Sequence, residues 1–185
     1  MRFGKRMAMS CLCGLLIGGS CVGLSANATT FTRSTDNDPV ASGYSGSAYN
    51  MSYYSGISGS YNNDMRLSPS INMEHAQYSW NYPTMAIPRT SCNVKLQVYL
   101  NNANFTDPDA QYIFKVYSSD SGAAYGTNIG SINQRYAVSG WTTISNTVYA
   151  NSGKYNIYSS EVMVVSSIGS TKQLGADGLI VTASY

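Results

Sequence analysis

Between Cys92 and Leu100 the chain alternates with little interruption: Cys92, Val94, Leu96, Val98 and Leu100 are apolar, and Asn93, Lys95 and Gln97 are polar. Successive side chains of an extended chain point to opposite faces, so this spacing predicts a strand with one face on a core and one in water. Residues 111–118 repeat the pattern, with Tyr112, Phe114 and Val116 on one side. Further strands are expected within 128–138, at 141–149, at 161–167 and at 178–185, the last as an edge or beside an early strand. Asn151-Ser-Gly-Lys154 predicts a tight hairpin from 141–149 into 155–158, because Asn and Gly tolerate the positive φ such a turn demands.

The stretch GYSGSAYNMSYYSGISGSYNN at 43–63 is compositionally odd, but it also alternates. Tyr49, Met51 and Tyr53 take turns with Ala48, Asn50 and Ser52, and Tyr61, Met65 and Leu67 follow the glycine-bearing 55–59. This predicts a first hairpin whose tyrosines are at least half buried, the alternative being a disordered linker. Residues 29–43 lack periodicity and contain the turn signal Asp36-Asn37-Asp38-Pro39, which reads as a flexible leader. No segment holds a helical period over ten or more residues. The expected fold is therefore all-β, a single antiparallel β-sandwich of about eight or nine short strands occupying 44–185.

The N-terminus has a different character. Arg2, Lys5 and Arg6 precede an apolar run from Met7 to Leu24, and Ala26-Asn27-Ala28 offers small residues before a cut. This is the three-part pattern of a cleavable secretory signal peptide over 1–28, with an uncleaved anchor or lipidation at Cys21 as alternatives. Its removal leaves eight basic residues against nine acidic, a net charge of −1 in place of +2. No cationic surface for nucleic acid or anionic membrane is expected, nor membrane insertion after cleavage. Cys11, Cys13 and Cys21 depart with the signal, so Cys92 remains without an internal disulfide partner. Its place on the apolar side of a strand predicts burial, against pairing with another chain. Export without disulfides suggests a bacterial, secreted or cell-surface protein.

Catalytic chemistry is sparse. His75 is the sole histidine, and its neighbour Glu74 would point to the opposite face of a strand. A surface or structural role is expected, and a Cys92–His75 nucleophilic pair is disfavoured by the expected burial of the thiol. Asp107-Pro-Asp109, with Asn104 or Asp120, could offer oxygens to Ca²⁺, but Asp and Pro are ordinary turn residues and no full ligand set is visible. No metal, cofactor or catalytic residue is assigned. Nor do the acids single out a glycosidase pair.

One aromatic pattern suggests binding. Tyr78, Trp80 and Tyr82 fall at i, i+2 and i+4, so an extended chain projects all three from one face. Exposed, they would form a stacking surface for sugar rings, with Asn and Ser at hand for hydroxyls. Buried, Trp80 would be a core plug with the tyrosine hydroxyls at the rim, and that role is favoured. Trp141, opening a strand after Ser139-Gly140, carries the same ambiguity. The expected function is a non-catalytic binding or adhesion module, with a carbohydrate or surface protein as partner. The alternatives are an assembly subunit that self-associates through an edge strand, and a secreted hydrolase.

Overall fold

The computed structural model describes residues 30–37, 40–41, 44–70, 75–83, 91–118, 124–149, 157–166 and 172–184. In chain order the strands are β1 (Thr30–Thr35), β2 (Val40–Ala41), β3 (Tyr44–Tyr49), β4 (Ser52–Ser55), β5 (Asp64–Leu67), β6 (Gln77–Tyr82) and β7 (Ser91–Leu100). There follow β8 (Ala110–Ser118), β9 (Ala124–Ile132), β10 (Gly140–Tyr149), β11 (Ile157–Val165), β12 (Gly175–Ala176) and β13 (Leu179–Ser184). A 3-10 turn at Tyr61–Asn63 is the only helical element among the described residues, and among them no helix is long and apolar enough to cross a membrane.

The protein is an antiparallel β-sandwich. One sheet has the order β1-β13-β7-β10, the other β2-β3-β6-β11-β8-β9, and β12-β5-β4 form a small third sheet. From the first sheet Val94, Leu96, Val98, Leu100, Leu179 and Val181 point inward. They meet Tyr78, Trp80, Tyr82, Tyr112, Phe114 and Val116 of the second. Each fully buried side chain of this kind contributes about 1.5–3 kcal/mol relative to exposure, so the two rows dominate stability. The expected alternation of 92–100 is reproduced residue by residue in the burial of β7.

Several local expectations change. Residues 30–35, expected as leader, form an edge strand in register with the chain's last strand, from Thr30 opposite Ser184 to Thr35 opposite Leu179. Asp36 and Asn37 are buried. The β10–β11 hairpin does not form. Instead β10 pairs with β7, and β11 lies in the other sheet between β6 and β8. The side-chain pattern explains the separation. Val162, Met163 and Val164 are buried in succession, as suits a central strand covered on both faces, whereas β10 is wet on one side. The turn 151–154 lies outside the described residues. The strand expected within 128–138 sits earlier, at Ala124–Ile132.

The tyrosine-rich stretch is folded, and the expected hairpin forms over part of it. β3 joins the second sheet beside β6, while β4 pairs with β5. Tyr53 and Tyr54 are 44% and 45% exposed and Tyr49 is 52% exposed, so these three are buried by about half, while Tyr61 is more enclosed. The Arg66 guanidinium lies over the Tyr53 ring at 5.3 Å, covering one side of a ring that the short β4 edge cannot enclose. Cys92 is a free, buried thiol, and burial pushes its pKa up to about 11. His75 is exposed, its Nδ1 3.4 Å from the Ser166 carbonyl, in contrast to the thiol, which sits in the core.

Candidate functional site

Strand register draws three distant aspartates together. Pairing of Thr35 with Leu179 sets Asp36, just past β1, beside the segment that precedes β13. Pairing of Ala176 with Arg66 sets Asp177, between β12 and β13, beside the start of β5, where Asp64 lies. Asp36, Asp64 and Asp177 are all buried, and one carboxylate oxygen from each lies within 4.8 Å of the others. Two backbone amides serve Asp177: Tyr61 N–H donates to Oδ2 at 3.0 Å and Gly178 N–H to Oδ1 at 2.9 Å. Burial nevertheless pushes the Asp177 pKa up to about 8. Those amides pull it down, and the charges of Asp36 and Asp64 push it further up.

Two side-chain amides complete the cluster. Asn37 Nδ2 donates to Asp64 Oδ1 at 2.6 Å, and Asn62 Nδ2 donates to Asp36 Oδ2 at 2.5 Å. Asn62 reaches there from a left-handed backbone with φ of 52°, a conformation Asn tolerates better than most residues. The other end of the Asn37 amide, Oδ1, is buried with no hydrogen-bond partner. A buried carbonyl oxygen left without a donor carries a desolvation penalty that native proteins seldom leave unanswered.

Of the two roles open to Tyr78, Trp80 and Tyr82, stacking face or core, the structure has the core one, and from the core they serve this cluster from behind. Tyr78, Trp80 and Tyr82 do share a face, but it is the interior one, with 0%, 0% and 1% exposure. Their polar tips hold the backbone that carries the acids. Trp80 Nε1 donates to the Asp36 carbonyl at 2.9 Å, and Tyr78 OH donates to the Asn37 carbonyl at 2.8 Å. The Arg66 Nε donates to that same carbonyl at 2.9 Å. Tyr82 OH lies 3.2 Å from Thr35 Oγ1, which itself donates to the Leu179 carbonyl. A buried ring with a polar tip satisfies the loop and the core at once.

In front of the cluster, at the surface, stands a second aromatic group. Trp141 of β10 lies directly opposite Tyr99 of β7, and the rings meet edge to face at 5.2 Å. Tyr61 packs against both, at 5.7 Å from Tyr99 and 5.3 Å from Trp141. Trp141 is 40% exposed. Tyr61 carries the amide bound to Asp177, and Tyr99 N–H donates to the Gly178 carbonyl at 2.8 Å, so acids and rings share one stretch of backbone. Gly178 is required there: a Cβ would lie 2.7 Å from the Tyr61 ring. Asn101 anchors the Tyr61 loop from the other side, donating to Ser60 Oγ at 3.0 Å. Sequence reasoning singled out Trp141 but passed over Tyr99, although an aromatic on the wet side of the 92–100 alternation was the available signal. Nothing local connected Asp36, Asp64 and Asp177.

Other acids have structural roles. Asp107 Oδ1 accepts the Asp109 N–H at 2.8 Å, the turn geometry that its composition suggested. Asp109 faces Gln111, and Asp120 lies outside the described residues. Glu161, on the outer face of the second sheet, accepts from Ser79 Oγ at 2.5 Å and from Tyr117 OH. Lys115 Nζ lies 3.7 Å from it.

No family model matches the chain, and no curated protein matches its sequence. Among solved structures it is similar to a family 29 carbohydrate-binding module from Piromyces equi. That likeness has a TM-score of 0.49 and 13% identity, covering 85% of this chain and 91% of that one. A family 35 carbohydrate-binding module from Cellvibrio japonicus Abf62 has a TM-score of 0.45 and 12% identity, covering 83% and 92%. The K1 cleaved adhesin domain of Lys-gingipain from Porphyromonas gingivalis W83 has a TM-score of 0.45 and 11% identity, covering 85% and 98%.

Proposed function

We propose that the chain is a secreted or cell-surface, non-catalytic module that binds a glycan, with Trp141 as the ring on which a sugar stacks. The observation that carries this reading is the part-exposed Trp141, braced edge-on by Tyr61 and Tyr99. Bracing fixes a broad apolar face at the surface before a ligand arrives, and preorganisation lowers the entropic cost of binding. The strip that continues from it supplies hydrogen bonds. Thr143 pairs with Gln97 and Thr147 with Asn93 in the β10–β7 register, all on the same face, and Thr147 Oγ1 donates to Asn93 Oδ1 at 2.9 Å. An apolar ring beside hydroxyl and amide groups matches the two kinds of surface on a sugar.

Affinity electrophoresis through a panel of soluble polysaccharides tests the proposal. Retardation by at least one polysaccharide is expected, with Trp141→Ala weakening it about tenfold or more while the far-ultraviolet circular dichroism is unchanged. Equal retardation of wild type and Trp141→Ala would remove Trp141 from the site. Failure of every polysaccharide to retard the wild type would shift the reading to a protein ligand.

A further inference from the structure

We propose that Asp36, Asp64 and Asp177 hold a hard divalent cation of the Ca²⁺ class, and that this cation fixes the 56–63 loop and, through it, Tyr61 in the aromatic group. The second half rests on the glycan-binding reading of that group. Three carboxylates converge within 4.8 Å in a place too buried for water to screen their repulsion. An ion with ligand bonds of about 2.3–2.6 Å bridges oxygens up to about 5 Å apart across its diameter. Histidine and thiolate are absent from the cluster, so the donors are oxygens, which suit Ca²⁺ and disfavour zinc or copper.

The acids do not carry the inference alone. Asn37 Oδ1 is fully buried and unpartnered, on an amide in contact with Asp64. A cation answers that orphan as well as the charge. Amide oxygen and nitrogen are placed by their hydrogen bonds, so half a turn of this side chain would present its oxygen where Nδ2 now lies.

Two features transmit the cation's presence to the surface. Asp177 Oδ2 holds the Tyr61 amide, and Asp36 Oδ2 holds Asn62 in the same 3-10 turn. Without a cation the mutual repulsion of the carboxylates drives them apart, and the turn that carries Tyr61 loses both holds. With it, Tyr61 is pressed on the Gly178 backbone and braces Trp141.

The test uses full-length processed protein stripped with chelator, titrated with CaCl₂ alone and separately with MgCl₂. Calorimetry is expected to show one Ca²⁺ per chain, and melting is expected to rise by about 5–10 °C at a hundredfold excess over Kd. Tryptophan emission should change over the same range. Asp177→Asn is expected to abolish the calcium heat and the melting shift. Should that variant not fold, Asn62→Ala serves instead, with calcium binding retained but uncoupled from the emission change. No calcium heat and no melting shift in the wild type would overturn the cation. Calcium binding without any emission change would overturn the coupling. Trp141→Ala separates the two proposals: loss of polysaccharide binding with an intact calcium shift supports both. Intact calcium binding in a wild type that binds no polysaccharide leaves the cation standing and removes the glycan reading.

Discussion

Replacing Trp80 with Phe tests whether the three rings of β6 are a scaffold for the acidic cluster. Trp80 is wholly buried, packs edge-on against Tyr78 at 4.8 Å, and donates from Nε1 to the Asp36 carbonyl at 2.9 Å. Phe keeps most of the ring volume but removes the donor, which strands a buried carbonyl at a cost of about 1–3 kcal/mol. The missing part of the indole leaves a small cavity worth about 1–2 kcal/mol more. Together these predict a loss of about 2–5 kcal/mol, or a melting point lowered by about 4–20 °C for a domain of this size. Urea unfolding followed by circular dichroism measures it, with polysaccharide retardation run on the folded protein at low temperature. Stability is expected to fall while the Trp141 site still binds. A variant within about 0.5 kcal/mol of wild type that has lost the ligand would refute the reasoning, because only a surface ring could behave so.

Two glycines and one thiol give further tests. A Cβ on Gly175 would lie 2.0 Å from the Phe105 ring, which is fully buried. Gly175→Ala is therefore expected to cost about 3 kcal/mol or more by overpacking, read as a lowered urea midpoint. At Gly178 the obstacle is the half-buried Tyr61 ring, which can swing toward solvent, so Gly178→Ala should cost less stability yet alter tryptophan emission. Cys92 is expected to resist a disulfide reagent in the native state and to react on unfolding. Burial raises its pKa from 9.0 to about 11, so the folded form keeps its proton longer than the unfolded chain. Its contribution to stability is full below pH 9 and declines as pH climbs toward 11; a pH series of urea midpoints measures the decline.

What the sequence disclosed follows from the range of the physics involved. Alternation is local, so β7 and β8 were legible from their own residues, as was the same-face projection of Tyr78, Trp80 and Tyr82. Which side of the sheet that face occupies depends on partners far along the chain, and here it is the core. β1 could not be read because the row on the side of Phe31 continues with Arg33 and Thr35, leaving no apolar row to notice. The expected pairing of 141–149 with the strand that follows failed for the same reason: turn chemistry says where a chain can bend, and only core complementarity decides which sheet the next strand enters. The acidic cluster was the least legible. Its members are joined only by the registers of β1 with β13 and β12 with β5, two pairings between opposite ends of the chain.

The sheet edges weigh on the choice between a binding module and a self-assembling subunit, since an assembling strand needs an open, pairable edge. On one long side β9 and β10, the outer strands of the two sheets, lie against each other. Asn146 Nδ2 donates to the Asn128 carbonyl at 2.8 Å, and the Gly130 backbone sits against the Ile144 side chain. That contact occupies the approach a second copy would use. At the opposite edge of the first sheet, β1 carries Arg33, whose guanidinium lies over the Phe31 ring at 5.2 Å. A cation on an edge opposes pairing with an identical strand. β4 is open but only four residues long, and it is covered in part by Arg66 over Tyr53. Three of the four edges of the two main sheets are thus closed or charged, and the fourth carries only the two-residue β2 against β3, while the ring group at the end of the sandwich is braced and accessible. That contrast favours a module acting through its aromatic end over one that polymerises through its strands.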